Sequence, residues 1–304
     1  MQNLKKCKIL KIEEYTEEEI EDTYNIEVED NHNYFANGIL AKNCHHTPAN
    51  SFLNIIKKLY SKRMYGLSAT PNRKDQLQFL LYNYIGPTIY EVKDMELRSI
   101  GKYVPTIVER IKTNFNFDFG ALQDNFVVLT TIMSSHKMRN EIILEYLEND
   151  VKAGRHPMVL CNRVKHAEYL KDKLESRNYK VGILTGKIED NMRNKYKALA
   201  LAGKIDVMVC MEQIAGEGLD IPIIDTIHIP YLINNKDKLK QIIGRGCRNY
   251  KDKEFCSVKI YDDFIYYNGI DKETLKNKRI EHYMSHNVRN NQNKWFRQFG
   301  YDTN

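Results

Sequence analysis

The apolar and polar positions between residues 158 and 261 follow two alternating patterns. Short, mostly apolar runs predict buried strands, at residues 158–161, 181–184, 206–210, 223–229 and 258–261. Between these runs, apolar residues recur every three or four positions and predict helices, at residues 166–177, 191–201 and 239–247. Strands that alternate with helices at this spacing are typical of a parallel sheet covered on both faces. Residues 141–265 are therefore predicted to form an α/β domain.

The first 43 residues show a two-residue period instead. Residues 24–29 alternate apolar and polar side chains, and residues 7–12 do so less regularly. Asn37-Gly38, a strong tight-turn dipeptide, separates two short apolar runs. Because so short a group of strands cannot bury a core of its own, residues 1–43 are predicted to be an all-β segment that needs a partner.

Three stretches surround the predicted α/β domain. Residues 44–100 contain an amphipathic helix and a short strand that ends in a small-residue turn, and they are interpreted as the end of a preceding domain. Residues 101–140 are interpreted as a linker with an edge strand, followed by a helix. Residues 266–304 are basic and aromatic. A helix that docks its aromatic side chains on the α/β domain is favoured there over a nucleic-acid contact.

Charge and cysteine content indicate a cellular compartment and a class of binding partner. The 304 residues carry a net charge of +6, although residues 1–43 hold five lysines and ten acidic residues. The remainder is thus strongly basic, which points weakly to a polyanionic partner. The six cysteines form no C-x-x-C pair, and no apolar run reaches the length of a membrane span. We predict a cytoplasmic protein with no membrane partner and no metal site.

The bond between Asn43 and Cys44 joins two groups that can react together. The side-chain amide of Asn43 can attack its own main-chain carbonyl, which closes a succinimide and cuts the bond to Cys44. The thiolate of Cys44 can accept an acyl group from elsewhere. Together they allow ligation followed by release.

The sequence around this bond, VEDNHNYFANGILAKNC, resembles the C-terminal splicing block of inteins. The resemblance covers residues 1–43 and implies a Hint-type fold in which Asn43 cyclises and Cys44 carries out the transthioesterification. Two positions depart from the family pattern, because Lys42 stands where His is usual and Asn25 where Asp is frequent. Acid–base work would then shift to His32 or to the N-terminal half.

No N-terminal intein half is present, since the chain begins at Met1. The resemblance therefore implies the C-terminal half of a split intein that acts in trans with a separate polypeptide.

Two further stretches resemble helicase motifs. GLSATPNRKD is similar to motif III of superfamily 2 DExH helicases of the XPB-like and type III restriction groups, and CHHTPANSF is similar to the residues after Asp-Glu in their motif II. The intein would thus interrupt motif II. The resemblance implies that His45 lies at the nucleotide, and that Ser68 and Thr70 contact the nucleic acid.

Two clusters in the α/β domain suit phosphate chemistry. The glycines of Gly216-Glu217-Gly218-Leu219-Asp220 allow a tight bend, and Asp220 can accept from a ribose hydroxyl or fix an arginine. Arg245 and Arg248 are three positions apart and are predicted to share a helical face. Two guanidinium groups there suit the charge that develops on a transferring phosphoryl group, and a solvated basic helix is the alternative.

These clusters resemble superfamily 2 motifs V (GEGLD) and VI (QIIGRGCR), while VLCNR resembles motif IV and ILTG the phosphate-backbone contact after it. The resemblance implies a complete second RecA-like lobe after a partial first one, with ATP and Mg²⁺ between the lobes. It assigns residues to the nucleotide (Gly218, Asp220, Gln241, Arg245, Arg248) and to the nucleic-acid backbone (Arg163, Thr185, Gly186).

The sequence contains no G-x-x-x-x-G-K-[ST] loop, and the Asp-Glu pair that would bind Mg²⁺ is also missing. We therefore predict the C-terminal fragment of an ATP-dependent helicase or translocase acting on DNA, with RNA possible as substrate. Trans-splicing at Asn43-Cys44 would join it to an N-terminal helicase fragment, in a phage-like setting. The alternative is a splicing-inactive, non-enzymatic nucleic-acid-binding lobe or a non-covalent helicase subunit.

Overall fold

The computed structural model describes residues 34–36, 39–41, 79, 82–83, 86–92, 94–118, 126–186, 190–216, 221–270, 277–281 and 283–303. The chain divides into two compact units, Met1–Glu91 and Val92–Asn304.

In the first unit, β1 (Tyr34–Ala36) pairs antiparallel with β2 (Ile39–Ala41). Because Ala36 pairs with Ile39, only two residues connect the strands, as the Asn37-Gly38 dipeptide predicts. The strands predicted at residues 7–12 and 24–29 lie outside the described residues.

The second unit alternates strands and helices. Its strands are β3 (Thr106–Asp118), β4 (Pro157–Cys161), β5 (Val181–Leu184), β6 (Val207–Met211), β7 (Thr226–Ile229), β8 (Cys256–Ile270), β9 (Asn277–Glu281) and β10 (Asp302–Thr303). Its helices are α1 (Asp94–Ser99), α2 (Phe126–Ser135), α3 (Lys137–Lys152), α4 (Val164–Ser176), α5 (Asp190–Leu201), α6 (Glu212–Gly216), α7 (Lys236–Gly246) and α8 (Tyr283–Phe299).

Seven strands form one parallel sheet in the order β10-β3-β8-β7-β4-β6-β5, and β9 pairs antiparallel with β8. The predicted α/β domain with a parallel sheet is thereby confirmed. The central strands β4 and β6 are buried along their whole length, which explains why they appear in the sequence as unbroken apolar runs.

Helices cover both faces of the sheet. On one face α3 and α4 pack through Leu147 and Leu170, and on the other α7 and α8 pack through Ile242 and Phe296. All four side chains are fully buried, and burying one such side chain contributes about 2 kcal/mol.

The stretch interpreted as a linker lies inside this sheet. β3 is 13 residues long and pairs in parallel with β8 from Thr106 onward, so the predicted edge strand is an inner one, with only the two-residue β10 outside it. The helix that follows is divided at His136, whose side chain caps α3 by accepting from the main-chain N–H of Arg139.

The C-terminal stretch folds back onto the sheet, as the favoured interpretation predicted. Phe296 and Phe299 of α8 and the adjacent Tyr301 are buried, and Trp295 packs against the same core. None of the helices in the described part of the chain is long and apolar enough to cross a membrane.

Candidate functional site

Three of the residues predicted to bind nucleic acid lie at one edge of the sheet. Arg163 lies two positions after the end of β4, and Thr185 and Gly186 come directly after β5. Because β4 and β5 both pair in parallel with β6, their carboxyl ends share an edge, which is where parallel sheets bind ligands. Gly186 faces open space and Arg163 is half-buried, whereas Thr185 is buried. Arg163 and Gly186 are thus the accessible members.

Helix α2 orients the guanidinium of Arg163. One nitrogen, Nη2, donates to the hydroxyl of Thr130 at 2.6 Å and to the carbonyl of Val127 at 3.3 Å. Nη1 donates to the carbonyl of Asn162 at 3.1 Å. A guanidinium has five N–H donors, so these bonds orient the group without using all of its capacity. Thr130 has no signal in the sequence, because its role depends on a contact 33 positions away.

Helix α7 carries the predicted nucleotide residues. It begins at Lys236, where the side chain of Asn235 accepts from the main-chain N–H of Lys238 at 3.1 Å. Its last turn presses against the sheet at Gly246. A Cβ atom there would lie 2.7 Å from both Cys256 Sγ and Ile227 Cδ1, so a side chain cannot fit without a shift. The end of α7 therefore lies over the first residues of β7 and β8.

The predicted shared helical face of Arg245 and Arg248 is wrong. Helix α7 ends at Gly246, and Arg248 forms an isolated antiparallel bridge with Tyr103. The two main chains also pair at the neighbouring residues, where the N–H of Val104 donates to the carbonyl of Cys247 at 2.8 Å. After Gly246 the main chain thus pairs with the segment before β3 and does not continue as a helix. Arg248 is part of this paired segment.

Lys253 holds the end of α7 to residues 222–224, which follow the predicted motif V. Its ammonium donates to the carbonyls of Gly246 at 3.1 Å and Arg248 at 2.9 Å. It also donates to the carbonyls of Pro222 at 2.7 Å and Ile224 at 2.6 Å. Four carbonyls share three N–H donors. Burial lowers the pKa of Lys253, against the opposing influence of nearby groups such as Cys256 and Asp225.

The sequence did not single out Lys253, which appears there as part of a charged turn. Its acceptors are main-chain carbonyls, which every residue has, so no residue type marks them.

The two groups of predicted residues lie at opposite edges of the sheet. Arg163 lies beyond the carboxyl end of β4, whereas the end of α7 lies over the amino ends of β7 and β8. Five-residue strands such as β4 separate the edges by about 16 Å. One small ligand cannot contact both groups, so they suit two different ligands.

The remaining predicted residues lie outside the part of the chain that the structure describes. These are the splicing residues His32, Lys42, Asn43 and Cys44, the nucleotide residues His45, Gly218 and Asp220, and the nucleic-acid residues Ser68 and Thr70.

Two buried groups of charged side chains connect helix α3 to the sheet. Arg139, on α3, forms a bidentate pair with Asp263 on β8, with Nε–Oδ1 at 2.7 Å and Nη2–Oδ2 at 2.9 Å. Both side chains are fully buried. Arg139 also donates to the carbonyl of Pro230 at 2.8 Å, directly after β7. One guanidinium thus ties α3 to the middle of β8 and to the end of β7.

The second group centres on Asp150. Its carboxylate accepts from Lys259 Nζ at 2.7 and 2.9 Å and from His228 Nε2 at 2.8 Å, and the other nitrogen of His228 accepts from the hydroxyl of Tyr261. Burial lowers the pKa of His228 and keeps the imidazole neutral. Burial opposes the ionisation of Asp150, but the bonds from His228 and Lys259 outweigh it and lower its pKa. The carboxylate therefore stays charged and paired.

Residues 138–250 match the family model of the helicase conserved C-terminal domain. This part of the chain is therefore similar to a helicase C-terminal domain, and its parallel sheet agrees with that likeness. The matched region contains both Arg163 and Arg245.

The chain is also similar to individual proteins. It is 27% identical over 215 residues to “Putative ATP-dependent RNA helicase L396” of Acanthamoeba polyphaga mimivirus, covering 69% of this chain and 40% of the relative. It is 23% identical over 217 residues to “Probable helicase D10” of Escherichia phage T5, covering 71% and 46%. The chain therefore spans less than half the length of these relatives.

Among solved structures, a fragment of an HsdR subunit of a type I restriction enzyme from Vibrio vulnificus YJ016 has a TM-score of 0.53 at 20% identity, covering 72% of this chain and 42% of that one. This likeness concerns the fold. The names of the relatives refer to helicases and not to splicing, so the splicing block stays a prediction.

Proposed function

We propose that this chain supplies the second RecA-like lobe of an ATP-dependent nucleic-acid helicase or translocase. The observation that carries the proposal is the match to the helicase C-terminal domain over residues 138–250, which contains two groups of cationic residues at opposite edges of one sheet. A motor that converts nucleotide hydrolysis into movement along a strand needs two such separate surfaces.

The residues at the end of α7 fit the phosphate-facing part of a nucleotide site. Arg245 and Arg248 are half-buried cations on backbone that Gly246 and Lys253 hold against the sheet. ATP with Mg²⁺ supplies the phosphoryl chemistry, and the two guanidinium groups would stabilise the negative charge that develops on the phosphates. Gln241 lies one helical turn before Arg245 and would orient the same ligand.

The residues at the strand ends fit the nucleic acid. Arg163, oriented by Thr130 and Val127, would bind a backbone phosphate, and Gly186 would let the strand approach the main chain. The name of the mimivirus relative refers to RNA, whereas the partner predicted from the sequence is DNA, with RNA possible. Binding assays with matched DNA and RNA strands decide between them.

Because these 304 residues lack a P-loop, ATP hydrolysis requires a first lobe that carries one. The test is the rate of ATP hydrolysis by the chain combined with a fragment that carries a P-loop and an Asp-Glu pair. Replacing Arg245 or Arg248 by alanine should lower kcat about 10³-fold or more with little change in nucleic-acid affinity. Arg177→Gln, on the exposed surface at the end of α4, is the control and should leave kcat unchanged.

Unchanged kcat in both arginine variants would overturn the proposed role of these residues. Failure of the combined fragments to hydrolyse ATP, with nucleic-acid binding retained, would favour the alternative of a non-enzymatic nucleic-acid-binding lobe.

For residues 1–43 we propose the C-terminal half of a split intein, with Asn43 and Cys44 as the reacting pair. The two-residue connection between β1 and β2, shortly before this pair, supports a strand-rich splicing segment. Intact mass after mixing with a partner that carries the N-terminal half should reveal a product that contains residues 44–304. The product should be absent from a variant with Asn43→Ala and Cys44→Ala. No product from the unmodified chain would leave association without ligation as the way to assemble a helicase.

A further inference from the structure

The two faces of the sheet carry helices of very different charge. On one face, α3 has three basic and four acidic residues, and α4 has three of each. On the other face, α7 has four basic residues and one acidic residue, and α8 has three basic residues and no acidic one. The fold thus gathers positive charge on the α7–α8 side, which the net charge of the chain does not reveal.

The outward side of α8 is polar and cationic. Ser285, Val288, Gln292, Phe296 and Phe299 are buried and face the sheet. Lys294 and Arg297 lie on the opposite side and are exposed, together with Asn287, Asn290 and Gln298. Among the described residues, no carboxylate lies within ion-pair distance of Lys294 or Arg297. Their charge is therefore not neutralised within this part of the chain.

Two lysines of α7 lie beside the C-terminal end of α8. The ammonium groups of Lys236 and Lys240 lie 5.7 and 5.8 Å from the ring centroid of Phe299, at the end of α8. The amide of Asn291 donates to the side chain of Asn234 at 3.0 Å, which brings the start of α7 beside the middle of α8. We call Lys236, Lys240, Lys294 and Arg297 the basic face.

The chemistry of the basic face favours a nucleic acid over a membrane. Helices that bind membranes in plane insert large apolar side chains into the lipid. The exposed side of α8 presents amide and cationic groups instead, which donate hydrogen bonds to phosphate oxygens. Lysine and arginine beside neutral donors suit a phosphodiester backbone without selecting a base.

We propose that the basic face binds the phosphate backbone of a nucleic acid, as a second contact surface distinct from the strand-end residues Arg163 and Gly186. This inference rests on the proposed nucleic-acid-binding function and adds to it. The strand-end residues hold the segment on which the motor acts, and the basic face binds a neighbouring segment.

The test is the dissociation constant of the full chain for a 30-nucleotide single strand and for a duplex of the same length, measured by anisotropy at several salt concentrations. The double variant Lys294→Gln/Arg297→Gln removes two exposed charges. Its matched control, Lys165→Gln/Lys173→Gln, removes two exposed charges from α4 on the other face. Arg163→Gln tests the strand-end surface separately.

The basic-face variant should bind about tenfold more weakly at 100 mM salt, and the slope of log affinity against log salt should fall by about 1.4 for a single strand and about 1.8 for a duplex. The α4 control should retain the wild-type slope. Equal losses in both double variants, or none in the basic-face variant, would overturn this inference while leaving the proposed function intact. If the unmodified chain binds neither substrate, both proposals fail.

Binding to vesicles of anionic phospholipid tests whether the basic face binds a membrane instead. Wild-type binding to vesicles that is lost in the basic-face variant, with nucleic-acid affinity unchanged, would assign this surface to a membrane and overturn the inference.

Discussion

The Nζ atom of Lys253 lies 2.9 Å from the main-chain carbonyl oxygen of Arg248. The same atom lies 2.6 Å from the carbonyl oxygen of Ile224, so one partly buried ammonium joins the segment after the predicted motif V to the segment that carries Arg245 and Arg248. Helices leave their last carbonyls without partners within the helix, and Lys253 supplies donors for that end of α7. Both candidate nucleotide segments therefore depend on one side chain outside either motif.

Replacing Lys253 by methionine should lower the free energy of unfolding by about 3 kcal/mol, because four partly buried carbonyls lose a charged donor at once. Urea unfolding measures the change. Hydrogen exchange at the main-chain N–H of Cys247 and Asn249 should accelerate more than in β4, because the loss is local to the end of α7. Lys173→Met, at an exposed position of α4, is the control. A stability equal to that of the control would show that the carbonyls do not depend on Lys253.

Two glycines of α7 should respond oppositely to alanine. At Gly246 a Cβ atom would lie 2.7 Å from Cys256 Sγ and Ile227 Cδ1, so Gly246→Ala should destabilise the domain by about 1–3 kcal/mol. At Gly244 the nearest atom, the hydroxyl oxygen of Tyr103, is 3.5 Å away. Gly244→Ala should therefore be neutral or stabilising by up to about 1 kcal/mol, since alanine is the better helix former.

Thermal unfolding of both glycine variants measures this difference. Because the end of α7 carries Arg245, Gly246→Ala should also impair ATP hydrolysis in the assembled protein more than Gly244→Ala does. Equal stabilities would mean that the last turn of α7 moves away from the sheet at little cost.

The buried pair Arg139–Asp263 should show strong coupling. Arg139→Met leaves the carboxylate of Asp263 buried. Among the described residues, the hydroxyl of Thr113 is then its one remaining side-chain donor, and the loss should cost about 3–5 kcal/mol. The double variant Arg139→Met/Asp263→Leu removes both charges and should lose less than the two single variants combined. Denaturant unfolding of all four proteins gives the coupling. Additive losses would contradict a direct interaction between the two charges.

Stability should fall in mild acid, in part because of His166. Burial, followed by the charge of Arg139, lowers the pKa of His166 to about 3, and its Nε2 lies 3.1 Å from Asn140 Oδ1. The unfolded chain, with a pKa of about 6.5, takes up a proton that the folded chain refuses. This contribution is present in full above about pH 6.5 and declines as the pH falls towards 3.

Between pH 7 and pH 5, His166 alone should account for about 2 kcal/mol of lost stability. His166→Gln should flatten that part of the pH profile, whereas His286→Gln, at an exposed position, should not. The free energy of unfolding measured at a series of pH values tests this, and the same slope in wild type and His166→Gln would show that His166 is protonated in the folded state.

The sequence predicted the strands β4 and β5 well and the strand β3, on the other side of β8, poorly. The bounds predicted for β5 are the observed ones, and those of β4 and α4 differ from prediction by one or two residues. These elements were predictable because burial produces a local pattern of apolar residues in the sequence. β3 was predicted only as an edge strand within a linker. Most of its aromatic and polar residues show no period, and its partner Cys256 lies 150 positions after Thr106, so its length and inner position have no local signal.

The candidate site divides in the same way. The residue types and their order, from Arg163 to Arg248, are properties of the sequence. Tertiary structure decided that Arg248 leaves the helix to pair with Tyr103, that Thr130 orients Arg163, and that Lys253 holds the end of α7. It also gathered the cations of α7 and α8 on one face. Local periodicity determines which side of an element is buried, but which atoms it meets depends on main-chain groups and distant residues that have no signature in the sequence.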